Sequence, residues 1–246
     1  VNLFEAIRKA GNVREILNVT TDKCYEPNKL SKGYQETDRL GGYDPYSNSK
    51  ACSELVTSSF RDSFFNPKEY QKHGTSLASC RAGNVIGGGD WGKDRLIPDI
   101  MRGVINDEII KIRNPNSTRP WQHVLDPLNG YLILVEKLWS SGSEFSEGWN
   151  FGPLENDEKP VKWIVEKIIK LWSKDIKWDI SSDVNPHEES YLKLNCVKAN
   201  SRLGWMPKLN LEQGLEWITE WYKQYEHDND MKEITKQQID KFQKLL

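Results

Sequence analysis

Apolar residues fall along the chain in short runs whose spacing switches between helical and extended periods. Leu3, Phe4, Ile7 and Ala10 recur at intervals of three and four, and Gly11-Asn12 supplies the stop that a helix end favours. Residues 13–19, with Val13, Ile16, Leu17 and Val19, read as a strand. A polar stretch rich in Gly, Asp, Asn and Lys then runs over 21–45 as a loop. Helical spacing returns over 46–64, with Ala51, Leu55, Val56 and Phe60 on the expected apolar face. Residues 75–80 form the next predicted strand, and the Gly/Asn-rich segment 81–92 the next loop.

The same reading predicts a short helix over 96–105, a strand over 109–112 and a helix through 139 with Pro127 in its first turn. A strand over 149–151 follows. Strong amphipathic helices are predicted over 161–172 and 211–225, separated by a strand at 176–180. The charged tail over 227–246 keeps Met231, Ile234, Ile239 and Phe242 at helical spacing, as a peripheral helix would. Strands alternating with helices point to an α/β fold with a parallel sheet, and the less regular second half to a smaller α/β lobe. Because the chain opens on helix then strand, about three further βα units, on the order of 100 residues, are expected upstream.

Composition narrows the function classes. The chain has 246 residues, 37% hydrophobic and 28% charged, with ten Trp, which is enough to build a sizeable core. A net charge of −2 argues against a bulk nucleic-acid binder. No apolar run has the ~20 residues of a membrane-spanning helix, and residues 1–5 show no secretory signal. The four cysteines (Cys24, Cys52, Cys80 and Cys196) show neither C-x-x-C nor zinc spacing, so free thiols in a reducing cytosol are expected. Asn18-Val19-Thr20 and Asn116-Ser117-Thr118 match the glycosylation triplet, and without an export signal they read as chance matches.

Two constellations carry chemistry. Tyr46 and Lys50 stand four apart on the predicted helix and so share a face. A free tyrosine has a pKa near 10 and is a poor base at neutral pH. An adjacent ammonium favours the phenolate and makes it competent. Alone, that spacing is common on solvated helices. Its context is a strand that ends in Thr20-Thr21-Asp22-Lys23-Cys24-Tyr25, and strand ends at the carboxyl edge of a parallel sheet are where α/β folds bind ligands. Hydroxyl, carboxylate and amine side by side there make an acid/base set.

These segments occur in order with Gly-Gly-Tyr-Asp-Pro-Tyr46, Arg81-Ala82-Gly83-Asn84-Val85-Ile86-Gly87 and Asp94-Arg95-Leu96-Ile97-Pro98-Asp99. Thr118-Arg119-Pro120-Trp121-Gln122-His123-Val124 and Leu203-Gly204-Trp205-Met206-Pro207 complete the series. Across essentially its whole length the chain resembles the extended short-chain dehydrogenase/reductases, specifically the nucleotide-sugar 4,6-dehydratases. Lys23, where dTDP-glucose and GDP-mannose members usually carry Glu, makes it most similar to the CDP-glucose branch.

The resemblance implies a partial Rossmann-type doubly wound parallel sheet with a smaller sugar-nucleotide-binding lobe. The NAD-binding lobe would take residues 1–90 with 119–154 returning to it, and the substrate lobe 91–118 and 155–246. It implies NAD as cofactor, held by Tyr46 and Lys50, and catalytic roles for Thr21, Asp22, Lys23, Tyr46 and Lys50. Asn84, Arg95 and Arg119 would lie near the nucleotide, where guanidinium forks suit phosphate oxygens. A cytoplasmic homodimer or higher homo-oligomer is implied, packed through the Tyr46 helix, with a place in deoxysugar biosynthesis such as that of lipopolysaccharide O-antigen. A 4-epimerase, a dehydratase for another nucleotide, and a non-catalytic sugar-nucleotide-binding protein stay open as alternatives. Gly87-Gly88-Gly89-Asp90-Trp91-Gly92 matches G-x-G-x-x-G literally but does not join a first strand to a helix, so it is not assigned to a pyrophosphate. Trp121 and His123 are expected to give structural support, and Trp163, Trp172, Trp217 and Trp221 to pack.

Overall fold

The computed structural model describes residues 1–27, 33–181 and 193–246; parts of the 21–45 loop and of the 155–246 segment therefore lie outside the described residues. In chain order the elements are α1 (Asn2–Ala10), β1 (Glu15–Val19), α2 (Pro45–Ser63), α3 (Tyr70–His73), β2 (Ser76–Ala82) and β3 (Val85–Ile86). Then come α4 (Leu96–Ile105), β4 (Ile110–Ile112), β5 (Thr118–Pro120), β6 (Gln122–His123), α5 (Leu125–Ser141) and β7 (Gly148–Phe151). The remainder is β8 (Glu158–Pro160), α6 (Val161–Trp172), β9 (Trp178–Ile180), α7 (Leu211–Glu226) and α8 (Met231–Gln243). They fall into two compact units, one of residues 1–83, 127–152 and 193–206, the other of 84–126, 153–192 and 207–246.

In the first unit β1, β2 and β7 form a parallel sheet in that order, with Glu15 opposite Ser76 and Ser79 opposite Gly148. Every residue of β2 is buried, as a strand covered on both faces requires. The two-residue period sends Ala78, Cys80 and Ala82 to one face, where they pack with Leu134 and Leu138 of α5 and with Trp149, Phe151 and Trp205. Leu77 joins Phe4 of α1, Ile16 and Phe60 of α2 on the other face. Helix α1 ends as its sequence demands: Gly11 takes the left-handed conformation at φ 65 and its N–H reaches the carbonyl of Ile7.

Helix α2 starts at a strong signal. Asp44 caps it by accepting from the N–H groups of Tyr46 at 2.9 Å and Ser47 at 3.1 Å, and Pro45 holds the first turn. Its buried face departs from the periodicity reading. Ala51 and Phe60 are buried as expected, but Leu55 is exposed, while Ser47, Glu54 and Thr57 are buried instead. The reason is local pairing: Asn18 of β1 donates to Ser53 at 3.1 Å and to Thr57 at 2.7 Å, and Glu54 enters an ion pair. Polar groups that find buried partners can take a core position that hydrophobicity alone gives to a leucine. The amide of Asn18 is thus committed inside the fold, in keeping with its triplet being a chance match.

The second unit carries two-stranded pairings, β3 with β6 and β4 with β9 in parallel, β5 with β8 antiparallel. Its core draws Ile97, Ile100, Met101 and Val104 from α4, Ile164 and Ile168 from α6, and Leu215, Ile218, Trp221 and Tyr222 from α7. A capping box between Asn210 and Gln213 starts α7. Helix α8 is peripheral as expected, burying only Phe242, against Leu209 and Trp217. Trp121 and His123 are buried supports, the His123 ring meeting Trp217 edge-on at 5.8 Å, and Trp172, Trp217 and Trp221 are buried too. Among the described residues no helix is long and apolar enough to cross a membrane.

Asp126, 1% exposed, accepts from the backbone N–H groups of Lys208 at 2.6 Å and Leu209 at 3.4 Å. Burial pushes its carboxyl up from 3.8 to about 6, against the opposing pull of these two N–H groups. The folded state therefore holds the extra proton between the two values, so the group favours folding below 3.8 and that contribution is lost as pH rises through about 6. We expect Asp126→Asn to remove this slope: in denaturant titrations, the stability difference between variant and wild type should change between pH 4 and pH 7. A pH-independent difference would contradict it.

Candidate active site

The loop after β1 folds back on itself. Gly41 donates its N–H to the carbonyl of Cys24 at 2.9 Å, Glu26 donates to that of Arg39 at 2.9 Å, and Tyr25 bridges to Leu40. This return brings the Gly-Gly-Tyr-Asp approach to α2 beside the Thr21-Asp22-Lys23 turn. Gly42 then rests on the first turn of α2: a Cβ there would sit 2.3 Å from the backbone nitrogen of Asn48. Only glycine permits that approach.

All five expected catalytic residues lie in the first unit. Thr21 is buried and caps a short 3-10 turn (Asp22–Cys24), its hydroxyl donating to Asp22 Oδ1 at 3.0 Å. Asp22 is 1% exposed, whereas Lys23 is exposed. Tyr46 is 54% exposed at the start of α2, and Lys50 half-buried one turn on. The ammonium of Lys23 stands 6.0 Å from the centre of the Tyr46 ring, and that of Lys50 5.8 Å from it. Both ammoniums therefore stand near the same ring. Lys23 also acts on the cap: the Ser47 hydroxyl first, then backbone N–H groups and the Lys23 charge, hold the Asp44 carboxyl below its ordinary value.

Gly83 was in the sequence motif without an assigned role. A Cβ at this position would fall 1.7 Å from Asp22 Oδ2, so the absence of a side chain at the end of β2 is what lets the Asp22 carboxylate occupy its place. Glu54, Arg81 and Tyr25 were likewise not expected in the site. Arg81 and Glu54 pair at 2.8 Å with side chains 6% and 2% exposed. Arg81 Nη1 also donates to the Tyr25 hydroxyl at 2.8 Å, which donates in turn to Asn150 Oδ1 at 2.6 Å. The available signal was an arginine inside an otherwise small and apolar strand, and a glutamate one turn beyond Lys50.

Asn84, Arg95 and Arg119 belong to the second unit. Asn84 takes the left-handed conformation at φ 49, and its carbonyl accepts from the N–H of Gln122 at 3.2 Å. Arg95 is exposed and reaches both carboxylate oxygens of Asp90, at 3.2 and 3.1 Å. Arg119 is half-buried and donates to the carbonyl of Thr118 at 3.2 Å. The Gly-rich stretch between them serves packing: a Cβ on Gly88 would lie 2.3 Å from the Trp221 ring, and α4 begins only at Leu96. Among the described residues no cluster of His, Cys, Asp or Glu has the makings of a metal site. The four thiols are unpaired, and burial pushes that of Cys24 up to about 12.

The family model described as GDP-mannose 4,6 dehydratase matches residues 1–218. The chain is 52% identical over 239 residues to the CDP-glucose 4,6-dehydratase of Salmonella typhimurium, covering 97% of this chain and 67% of that protein. It is 25% identical over 234 residues to the dTDP-D-glucose 4,6-dehydratase of Mus musculus, covering 92% of this chain and 60% of the relative. The crystal structure of dTDP-glucose 4,6-dehydratase from Bacillus anthracis in complex with NAD superimposes with a TM-score of 0.72 at 24% identity, over 92% of this chain and 66% of that one. Its likeness establishes the Rossmann-like α/β fold. The chain thus spans about two thirds of the length of these relatives. With the family model matching most of its length, the chain belongs to the nucleotide-sugar 4,6-dehydratase family.

Proposed function

We propose that the protein carrying this chain converts CDP-glucose to CDP-4-keto-6-deoxyglucose with bound NAD. The observation that carries the reading is the Tyr46 ring with the ammoniums of Lys23 and Lys50 at 6.0 and 5.8 Å from its centre, on a unit that also holds the buried Thr21–Asp22 pair. The choice of CDP-glucose rests on the 52% identity with the Salmonella typhimurium enzyme and on Lys23.

The donor set suits the nicotinamide end of the cofactor: a phenol and an ammonium one helical turn apart, both reachable by solvent, can hold ribose hydroxyls. NAD held there by Tyr46 and Lys50 would supply reversible hydride acceptance for oxidation at sugar C4 and reduction at C6. Tyr46 takes the proton of the 4-hydroxyl as that hydrogen leaves, and Lys50 stabilises the phenolate. Thr21 hydrogen-bonds the 4-oxygen. The resulting ketone acidifies the C5–H bond, whose proton passes to Lys23. Asp22 protonates the 6-hydroxyl, which departs as water. Return of hydrogen to C6 and of a proton to C5 completes a net loss of one water. Asn84, Arg95 and Arg119 hold the nucleotide, with Arg95 exchanging Asp90 for a phosphate.

The four unpaired thiols support a reducing cytoplasm. Leu55 of α2 and Leu128 and Leu132 of α5 stay exposed, which supports a homodimer packed through these helices.

Offered CDP-, dTDP- and GDP-linked hexoses with NAD, the protein expressed from its complete gene should form the 4-keto-6-deoxy product from CDP-glucose. Product from another nucleotide alone would discard the substrate assignment, and no product from any would discard the dehydratase reading in favour of an epimerase or a binding protein.

Two variants separate the chemical steps. Tyr46→Phe should lower the rate of C4 oxidation by about 10²- to 10⁴-fold, the range for losing a positioned acid or base. Asp22→Asn should instead oxidise C4 and stall, so that reduced cofactor builds up at 340 nm without product. Equal loss of oxidation in both would show that Asp22 has no separate part in elimination. Gly83→Ala should reproduce the Asp22→Asn stall, because its methyl displaces the carboxylate; normal turnover by Gly83→Ala would remove the packing argument.

A further inference from the structure

We infer that the buried Glu54–Arg81 pair is a positioning device that sets the Tyr46–Lys50 helix against the Thr21–Asp22–Lys23 turn, a role that rests on the proposed dehydratase reading. Tyr46, Lys50 and Glu54 follow one another at steps of four and so lie along one stripe of α2. Along that stripe exposure falls from 54% at Tyr46 to 3% at Glu54. The helix therefore dips into the unit, holding its first turn open to a ligand and its third against the sheet.

The Glu54 carboxylate is shared between both partners of the site. Thr20, the residue before Thr21, donates its hydroxyl to Glu54 Oε1 at 2.5 Å. Ser79 and Arg81 of β2 donate to Oε2 at 2.7 and 2.8 Å. The other arm of Arg81 donates to the Tyr25 hydroxyl at 2.8 Å and to the carbonyl of Glu36 at 3.0 Å, so it holds the far side of the same turn. Tyr25 is itself clamped by stacking on Tyr34, with ring centres 4.8 Å apart, and by its bond to Asn150 of β7. One ion pair thus fixes α2, the end of β1 and the returning loop to a single frame.

Stability alone does not account for such a pair. Apolar residues of the same volume commonly hold a buried site at least as well as an ion pair does. What the pair adds is direction, since these bonds tolerate little sliding or rotation of the helix. Tyr46 lies two turns from Glu54, about 12 Å along the axis at 1.5 Å per residue. A tilt of about 5° would move the phenol by about 1 Å, and a misplacement of that size can cost on the order of 10²-fold in rate.

The test uses the protein from its complete gene, saturated with NAD, and compares Glu54→Asp with the double variant Glu54→Leu/Arg81→Met. The double variant should keep its melting temperature within a few degrees, lose about 10²-fold in kcat and hold KM within about threefold. Glu54→Asp keeps both charges but shortens the reach by one methylene, so it should fold and lose about tenfold in kcat; it decides the matter if the double variant does not fold. A folded variant with kcat within about threefold of wild type would overturn the proposal, as would a kcat loss matched by a rise in KM. Hydrogen exchange separates this claim from the functional reading. If wild type turns over no nucleotide hexose, faster exchange over residues 48–54 in either variant, with α5 unchanged, still supports positioning, and unchanged exchange refutes it.

Discussion

Placing a carboxylate and a guanidinium where water does not reach is costly unless each finds its opposite and its remaining lone pairs and protons are satisfied. In the first unit Glu54 and Arg81 find each other. Both Glu54 oxygens and the Arg81 Nη1 group have further partners, while the buried Arg81 Nε has none among the described residues. Much of the local architecture follows from this pairing. Burial pushes the Glu54 carboxyl up, but the hydrogen bond and charge of Arg81, with the hydroxyls of Thr20 and Ser79, outweigh it and leave the group below its ordinary value. Arg81 is correspondingly held protonated, the attraction of Glu54 overcoming its own burial. The pair stays ionised, and its bonds dictate which residues β1, β2 and α2 present to one another. Ser79 and Arg81 occupy the sheet face on which Leu77 meets Phe60, so one strand face changes from apolar to polar along its length.

That change has a functional reading. The apolar end of the face provides cohesion, and the polar end lies toward the carboxyl edge of the strands, where Thr21, Asp22 and Lys23 follow β1. The exposed Lys23 and half-buried Lys50 cations stand near the Tyr46 ring, and the buried ion pair begins at Glu54, one turn beyond Lys50 along α2. Buried charge here organises, while exposed charge is left available to a ligand. Two glycines complete the fit by omission: Gly42 lets the loop lie on the first turn of α2, and Gly83 leaves room for the Asp22 carboxylate.

The second unit uses glycine and aromatic residues differently. Trp221 covers Gly88 and Gly89, the Tyr222 hydroxyl donates to the carbonyl of Asp90 at 2.5 Å, and Arg102 donates to the carbonyls of Trp91 at 3.0 Å and Gly92 at 3.2 Å. The loop that carries Arg95 is therefore tied to α7 and α4 at several points, which suits the part proposed for that arginine.

Much of the fold was legible in local sequence because local physics decides it. Helical spacing located α1, α4, α6 and α7 closely, since each must bury one stripe, and Gly11 marked the end of α1 through a backbone preference that needs no distant partner. Tyr46-x-x-x-Lys50 and Thr21-Asp22-Lys23 were legible too, as motifs on a helix start and a strand end. Leu55 and Glu54 show the limit. Periodicity puts the leucine inside and the glutamate outside, yet the reverse holds, because Glu54 acquires Arg81 and Ser79 from a strand more than twenty residues later in the chain. The need for Gly83 has the same origin: it is set by a carboxylate about sixty residues earlier, which only folding brings to it. By itself the sequence determined the order of helices and strands and the chemical groups of the site. Which charges are buried, and how the groups face one another, was decided by tertiary structure, because the energy of a buried polar group depends on partners that the chain supplies only once it has folded.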